Sequence, residues 1–232
     1  MRVSVIIPTH NEAQAIERVL ADLPSDLVTE VIVVDSNSTD GTPDIAARIG
    51  ARVIQEPRRG YGRACLTGMA AANSPDVVVF LDGDYSDRPA ELSILLAPII
   101  EERADITLGS RLHGQNSASA LPWHQVFGNR LAASLIRLLY GLKISDLGPF
   151  RAGRADVLRA LALEETTYGW AVEMILRGAL AGYRVVEVPV SYYPRIGKSK
   201  ISGTLKGTVG AGWFILSLIV RYYFRHPTAR PD

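Results

Sequence analysis

At 232 residues the chain is long enough for one large α/β domain with its own core. Hydrophobic residues at 47% against charged residues at 21% exclude a disordered chain, and a formal net charge of +1 leaves no bulk electrostatic case for binding nucleic acid. A single cysteine, Cys65, excludes an internal disulfide framework and fits a reducing, cytoplasmic compartment.

The opening MRVSVIIPTHNE has a short apolar run followed by Pro and polar residues, and reads as a first strand and its loop rather than a signal peptide. Val3–Pro8 is that strand. Glu12–Ala21 has a helical pattern, stopped before Pro24. Glu30–Asp35 is a β-branched strand and Ser36–Gly41 a turn. Pro43–Ile49 starts as a helix at a proline, with Thr42 or Asp40 near its cap. Arg52–Gln55 is a third strand, Gly62–Ala72 a helix of small residues, and Val77–Leu81 a fourth strand running into Asp82-Gly83-Asp84. This β-α-β-α rhythm predicts an α/β fold with a largely parallel sheet covered on both faces. In such sheets ligands bind beyond the carboxyl ends of the strands. The polar clusters Thr9–Glu12, Asp35–Asp40 and Asp82–Asp87 all fall there.

The second half is less regular. Ile106–Ser110 reads as a strand and Leu112–Pro122 as a polar loop. Gln125–Tyr140 is an amphipathic helix with Phe127, Leu131, Leu135, Leu138 and Leu139 on one side and Arg130, Ser134 and Arg137 on the other. Ala171–Ala181 is a further helix, Tyr183–Val190 a strand and Tyr192–Lys200 a basic loop. Gly207–Val220 is uncharged and flanked by Lys206 and Arg221. Such a run is short for a span of about 20 residues. It suits either a buried helix or, with Trp213 and its flanking cations, a helix lying on a membrane surface, which is the favoured reading. The simplest division is a domain over 1–200 and a C-terminal apolar and basic helical appendage over 201–232.

Asp82, Asp84 and Asp87 follow the most apolar strand directly. Carboxylates this close repel one another unless a cation neutralises them, and hard oxygen ligands suit Mg²⁺ or Mn²⁺ shared with substrate phosphates. The same residue types also build solvated turns. Asp35 ends the second strand, where a carboxylate can accept from a base or ribose or simply cap a turn. Gly60-Tyr61-Gly62 opens a helix and could let backbone approach a phosphate. The four histidines lack metal-ligand spacing, and Trp123 and Trp170 read as core or loop anchors.

The segments VSVIIPTHNEA, VIVVDSNSTDGT, RRGYGRACLTGM, FLDGDYSDRP, ITLGSR, SDLGPFRAGR, GWAVEM and RIGKSK occur in this order from Val3 to about Lys200. Together they resemble family 2 glycosyltransferases of the Rossmann-like GT-A fold, in particular dolichyl- or polyprenyl-phosphate hexose synthases. That resemblance implies an inverting transfer of a hexose from a nucleotide sugar, GDP-mannose or UDP-glucose, to a polyprenyl or dolichyl phosphate. It implies that Pro8, Thr9, Asn11, Glu12 and Asp35 hold the nucleoside and that Arg63 lies near the donor. Asp82 and Asp84 match the metal motif, and Asp87 is a third candidate ligand. Arg111, Arg130 and Arg195 match positions around the phosphates and acceptor, with Lys198 and Lys200 extending the basic loop. Asp35-Ser36-Asn37-Ser38 replaces the Asp-Asp-Gly-Ser of many relatives, which leaves the nucleotide open.

A lipid phosphate is ionised near neutral pH and needs no general base to attack the anomeric carbon. A hydroxyl acceptor would need one, with Glu173 as first candidate and Asp146 as second. The expected setting is peripheral, at the cytoplasmic face of a membrane.

Overall fold

The computed structural model describes residues 1–113, 121–197 and 205–225. Lys198, Lys200 and most of the polar loop expected over 112–122 lie outside the described residues.

Seven strands form one sheet: β1 Val3–Thr9, β2 Glu30–Asp35, β3 Arg52–Gln55, β4 Val77–Phe80, β5 Ile106–Ser110, β6 Arg151–Arg154 and β7 Val185–Pro189. Their order is β3-β2-β1-β4-β6-β5-β7. β6 is antiparallel to β4 and β5, and the other neighbouring pairs are parallel. The mixed, mostly parallel sheet expected from the sequence is therefore present. Continuous β-branched runs in β1, β2 and β4 fit strands covered on both faces. Ile6, Ile32, Val34 and Phe80 pack into one core layer, and Val5, Ile7, Val33 and Val79 into the other.

The described helices are α1 Ile16–Ala21, α2 Thr42–Arg48, α3 Tyr61–Ala71, α4 Leu92–Ile100, α5 Trp123–Tyr140, α6 Ala155–Ala160, α7 Trp170–Leu180 and α8 Leu205–Arg225. Small residues let α3 sit close on the sheet: a Cβ on Gly68 would lie 2.4 Å from Ile6 Cγ2. Trp170 is a core residue, as expected, in edge contact with Phe80 at 4.6 Å between ring centroids.

Two regions take an arrangement that the sequence pattern does not specify. First, α5 buries Ala132, Ala133, Ile136 and Tyr140 against the domain. The leucine and phenylalanine stripe named above faces outward at Phe127, Leu131 and Leu138, and Trp123, expected to be an anchor, is 80% exposed. Second, α8, which falls in the helical appendage expected over 201–232, lies against the domain. It packs on α5 and α7, with Leu218 and Ile219 in the main core. Tyr140 Oη donates to the Ile219 carbonyl at 2.6 Å, and Tyr222 Oη donates to Glu173 Oε1 at 2.7 Å.

Candidate active site at the carboxyl ends of the strands

Register brings the polar strand ends together. Thr9 lies opposite Asp35, and Leu81 N donates to the Ile6 carbonyl, so Asp82-Gly83-Asp84 runs beside the end of β1. The approach is close: a Cβ on Gly83 would stand 2.9 Å from Thr9 Cγ2. Asp84 Oδ1 accepts from Ser86 N at 2.9 Å and Ser86 Oγ at 2.6 Å. Its Oδ2 faces Arg195 Nη1 at 3.4 Å, while Arg195 Nη2 lies 2.9 Å from Glu12 Oε1. The segment carrying Arg195 is laid along this turn, because Tyr193 N donates to the Ser86 carbonyl and Ile196 N to the Asp84 carbonyl. An isolated bridge joins Asp87 to Tyr192.

Burial pushes the Asp82 carboxyl up to about 7, and Asp84 adds to the shift against the pull of Arg111 and Arg195. Asp87 is 1% exposed and is also pushed up, by burial first and then by Asp82. Neither Asp87 oxygen has a hydrogen-bond partner. This is an acidic pair in need of a cation, which fits a divalent ion held by Asp82 and Asp84 together with donor phosphates. Among the described residues no three His, Cys, Asp or Glu side chains converge as a metal site. The turn instead carries Asp87 to Tyr192, beside the Arg111 charge.

The nucleoside residues inferred from the sequence line the adjoining loops. Asn11 adopts φ 55°; its backbone N–H donates to Ser38 Oγ at 2.8 Å, and its Oδ1 accepts from Thr39 N at 2.8 Å. Glu12 N donates to Thr42 Oγ1 at 2.9 Å. Pro8 is partly exposed, and Thr9 Oγ1 donates to Asp35 Oδ1 at 3.1 Å. Asp35 also accepts from Ser38 N at 2.9 Å, so it builds the turn that the sequence left as its alternative role. In the Gly60-Tyr61-Gly62 segment the last amide, and that of Arg63 after it, are already paired. Gly62 N donates to the Thr167 carbonyl and Arg63 N to the Thr166 carbonyl. Glycine is required there by packing, since a Cβ on Gly62 would lie 2.4 Å from the Glu165 carbonyl oxygen. Arg63 is half-buried, and its Nε has no hydrogen-bond partner.

At the end of β5, Arg111 is held by Asp146. Its Nε donates to Oδ2 at 2.8 Å, its Nη2 to Oδ1 at 2.9 Å and its backbone N–H to Oδ2 at 2.9 Å. The Arg111 side chain is 11% exposed and Asp146 is fully buried. Burial opposes both charges. Their pairing outweighs this, raising the Arg111 pKa and lowering that of Asp146. Asn129 Nδ2, on α5, donates to Asp146 Oδ1 at 2.7 Å. Glu187 accepts from the amides of Ser145 and Asp146. The neighbouring Arg130 is exposed and lines a groove of about 440 Å³ with Leu121, Trp123, Val126 and Phe127.

Sequence reasoning missed Asn129 and Glu187. Neither sits in a motif, and only their inward placement gives them a partner. It also missed Arg151, which is buried in β6 and donates from Nη1 to the Ala171 carbonyl at 2.6 Å.

Glu173 lies elsewhere. It is buried on α7, where it accepts from the amides of Glu164 and Glu165, pairs with Arg177 at 2.9 Å and accepts from Tyr222. These contacts tie α7 to Glu164 and Glu165 and to Tyr222 on α8. Asp146 is likewise saturated with donors and has the wrong pKa direction for a base. Arg195, expected at the acceptor, pairs with Glu12 and faces Asp84.

A parallel-stranded sheet whose strand ends carry an Asp-x-Asp pair and inward cations defines a GT-A-type nucleotide-sugar enzyme. The sequence model for Glycosyl transferase family 2 matches residues 4–162, and the chain belongs to this family. A dolichyl-phosphate hexose transferase of Haloferax volcanii is 36% identical over 201 residues, covering 85% of this chain and 86% of the relative. An undecaprenyl-phosphate mannosyltransferase of Micrococcus luteus is 36% identical over 233 residues, covering 89% and 90%. The glucosyl-3-phosphoglycerate synthase of Mycobacterium tuberculosis, solved with Mn²⁺, UDP and phosphoglyceric acid, superposes with a TM-score of 0.76 at 23% identity. It covers all of this chain, which spans 80% of the solved one, and supports the fold.

Proposed function

We propose that this enzyme transfers a hexose from a nucleotide sugar to a polyprenyl phosphate, with inversion, using Mg²⁺ or Mn²⁺. The observation that carries the acceptor class is the commitment of both candidate bases: Glu173 and Asp146 are buried and saturated with donors. Asp87, which lacks a hydrogen-bond partner, is sealed at 1% exposure. None of these three carboxylates is placed to take a hydroxyl's proton, whereas a phosphate monoester needs no base. Relatives named for dolichyl and undecaprenyl phosphates support the same class.

In this reading Pro8, Thr9, Asn11 and Glu12 wall the nucleoside, and Asp82 and Asp84 hold the metal, which supplies positive charge to the departing diphosphate. Arg195 and Arg63 serve the donor side. Arg111, pre-oriented by Asp146, and Arg130 hold the acceptor phosphate. Its oxygen forms the new bond to the anomeric carbon as the bond to the diphosphate oxygen breaks. Among the described residues no helix is long and apolar enough to cross a membrane, so the lipid substrate is reached from the surface, in this reading the cytoplasmic one.

The test is turnover of GDP-mannose and UDP-glucose with undecaprenyl phosphate or undecaprenol, with and without divalent metal. Transfer to the phosphate alone is expected. Transfer to the alcohol alone would overturn the reading.

A further inference from the structure

Tyr85, directly after Asp84, stands at φ 61°. An aromatic residue keeps this left-handed backbone only where its surroundings hold it, and such residues cluster at functional sites. Two groups hold it here. Tyr85 Oη donates to the carboxylate of Asp22, the residue that ends α1. The guanidinium carbon of Arg88 lies 4.5 Å from the Tyr85 ring centroid. Pro89 keeps Arg88 in extended backbone, at φ −100° and ψ 107°.

The same guanidinium meets a second ring, with Arg88 Cζ 3.6 Å from the Tyr193 centroid. Tyr193 belongs to the segment Ser191–Gly197, which follows β7 and lies along the Asp84 turn. Ser191 N donates to Glu91 Oε2 at 2.7 Å, Tyr193 N to the Ser86 carbonyl and Ile196 N to the Asp84 carbonyl. Between the last two amides stands Arg195, paired with Glu12 and facing Asp84. Its Nε has no hydrogen-bond partner. Arg195 is therefore fixed at its tip by carboxylates and at its root by the path of this segment. The contact of Arg88 with Tyr193 ties that path to the turn two residues before Arg195.

We propose that Arg88 is a positioning residue for Arg195. By meeting Tyr85 on the Asp84 turn and Tyr193 on the later segment, it sets the spacing between the metal-holding turn and the backbone that carries Arg195. Arginine suits this place, because a planar guanidinium lies flat against ring faces and an ammonium group does not. The proposal rests on the reading of Arg195 as a donor-side cation. Breaking the stack loosens Arg195 from Glu12 and Asp84 in the donor-free enzyme and misplaces it for the donor diphosphate.

The test is a double-mutant cycle on the full chain. Its readouts are calorimetric titration of Mn²⁺ without nucleotide, and KM and kcat for the nucleotide sugar that the enzyme turns over. Arg88→Ala and Tyr193→Ala should each tighten Mn²⁺ binding and raise KM by roughly two- to fivefold, the size of one cation–π contact, with kcat kept. Tyr193→Ala leaves every charge in place, so it separates the stack from the charge of Arg88. Arg88→Lys should fall between Arg88→Ala and the wild type, and it reports if the alanine variants do not fold. In an Arg195→Ala background neither alanine change should add anything.

Unchanged Mn²⁺ binding and KM in both single variants would overturn the proposal, as would effects that add in full to those of Arg195→Ala. An effect of Arg88→Ala that Tyr193→Ala does not share would also overturn it, by giving the effect to charge alone. A non-additive cycle in which all three variants impair use of the acceptor instead would uphold the positioning of Arg195 and overturn its donor-side reading.

Discussion

Replacing Asp146 with alanine isolates the contribution of the buried anchor. The carboxylate accepts from Arg111 Nε, Nη2 and backbone N–H, from Asn129 Nδ2 and from Leu147 N, all between 2.7 and 2.9 Å. Asp146→Ala leaves a guanidinium that is 11% exposed without its counter-charge. Removing one partner of a buried pair costs about 3–5 kcal/mol. At about 2–4 °C per kcal/mol for a chain of this size, the melting temperature should fall by roughly 6–20 °C.

Asp146→Asn keeps the shape and adds a pH signature. Burial works to raise the Asp146 pKa, but Arg111 outweighs it and holds the value below the ordinary 3.8. The folded form therefore binds fewer protons than the unfolded chain. The pair's stabilisation is complete above the unfolded value near pH 4 and is lost as pH falls through the folded value. Calorimetric melts between pH 3 and 7 should show wild-type stability dropping at the acid end more steeply than that of Asp146→Asn. An Asp146→Ala melt within about 2 °C of wild type, or identical acid profiles, would refute the anchoring argument.

Other outcomes follow from the same geometry. Asp82 must lose its proton to take a metal, so Mn²⁺ affinity measured by calorimetry should weaken about tenfold per pH unit below about 7, and a flat profile would contradict this. Asp84→Ala or excess chelator should remove turnover by orders of magnitude while the melt persists. Arg195→Ala frees Glu12 and Asp84 of a competing cation. It should tighten Mn²⁺ binding to the free enzyme severalfold and lower kcat/KM for the nucleotide sugar, and a defect confined to the acceptor would return Arg195 to the acceptor side. Glu173→Gln unties Arg177 and Tyr222 and should destabilise by about 1.5–3 kcal/mol with turnover kept in the folded fraction, whereas a hundredfold loss of turnover at unchanged stability would restore it as a base.

Strands β1, β2 and β4, and the acidic pair beyond β4, were legible because the information is local. A parallel strand covered on both faces has to be an uninterrupted apolar run, and its polar neighbours then fall at the ligand-binding edge. β6 was not legible. Its residues, Arg151–Arg154, have neither alternation nor β-branching, and the strand exists because β4 and β5 supply partners on both sides. Arg151 reads as a surface residue until the carbonyls that accept from it are in place.

The apolar stripe of α5 was legible as a stripe, but which side of the helix meets the domain was not. Helical periodicity records that two faces differ, and it does not say which of them meets the domain. The small residues Ala132 and Ala133 allow the inward approach, and only packing shows that they take it. Partner choice likewise belongs to the tertiary structure. Strand-end position singled out Asp82 and Asp84 as metal-holding candidates because it is a local property, while Arg111 and Arg195 came from the family resemblance and Glu173 and Asp146 from the need for a base. Which carboxylate faces which cation is a matter of distances across the fold. Asp146 meets Arg111 from 35 residues away, and Arg195 meets Glu12 from 183 away, so only the fold decides which carboxylate each cation is held by.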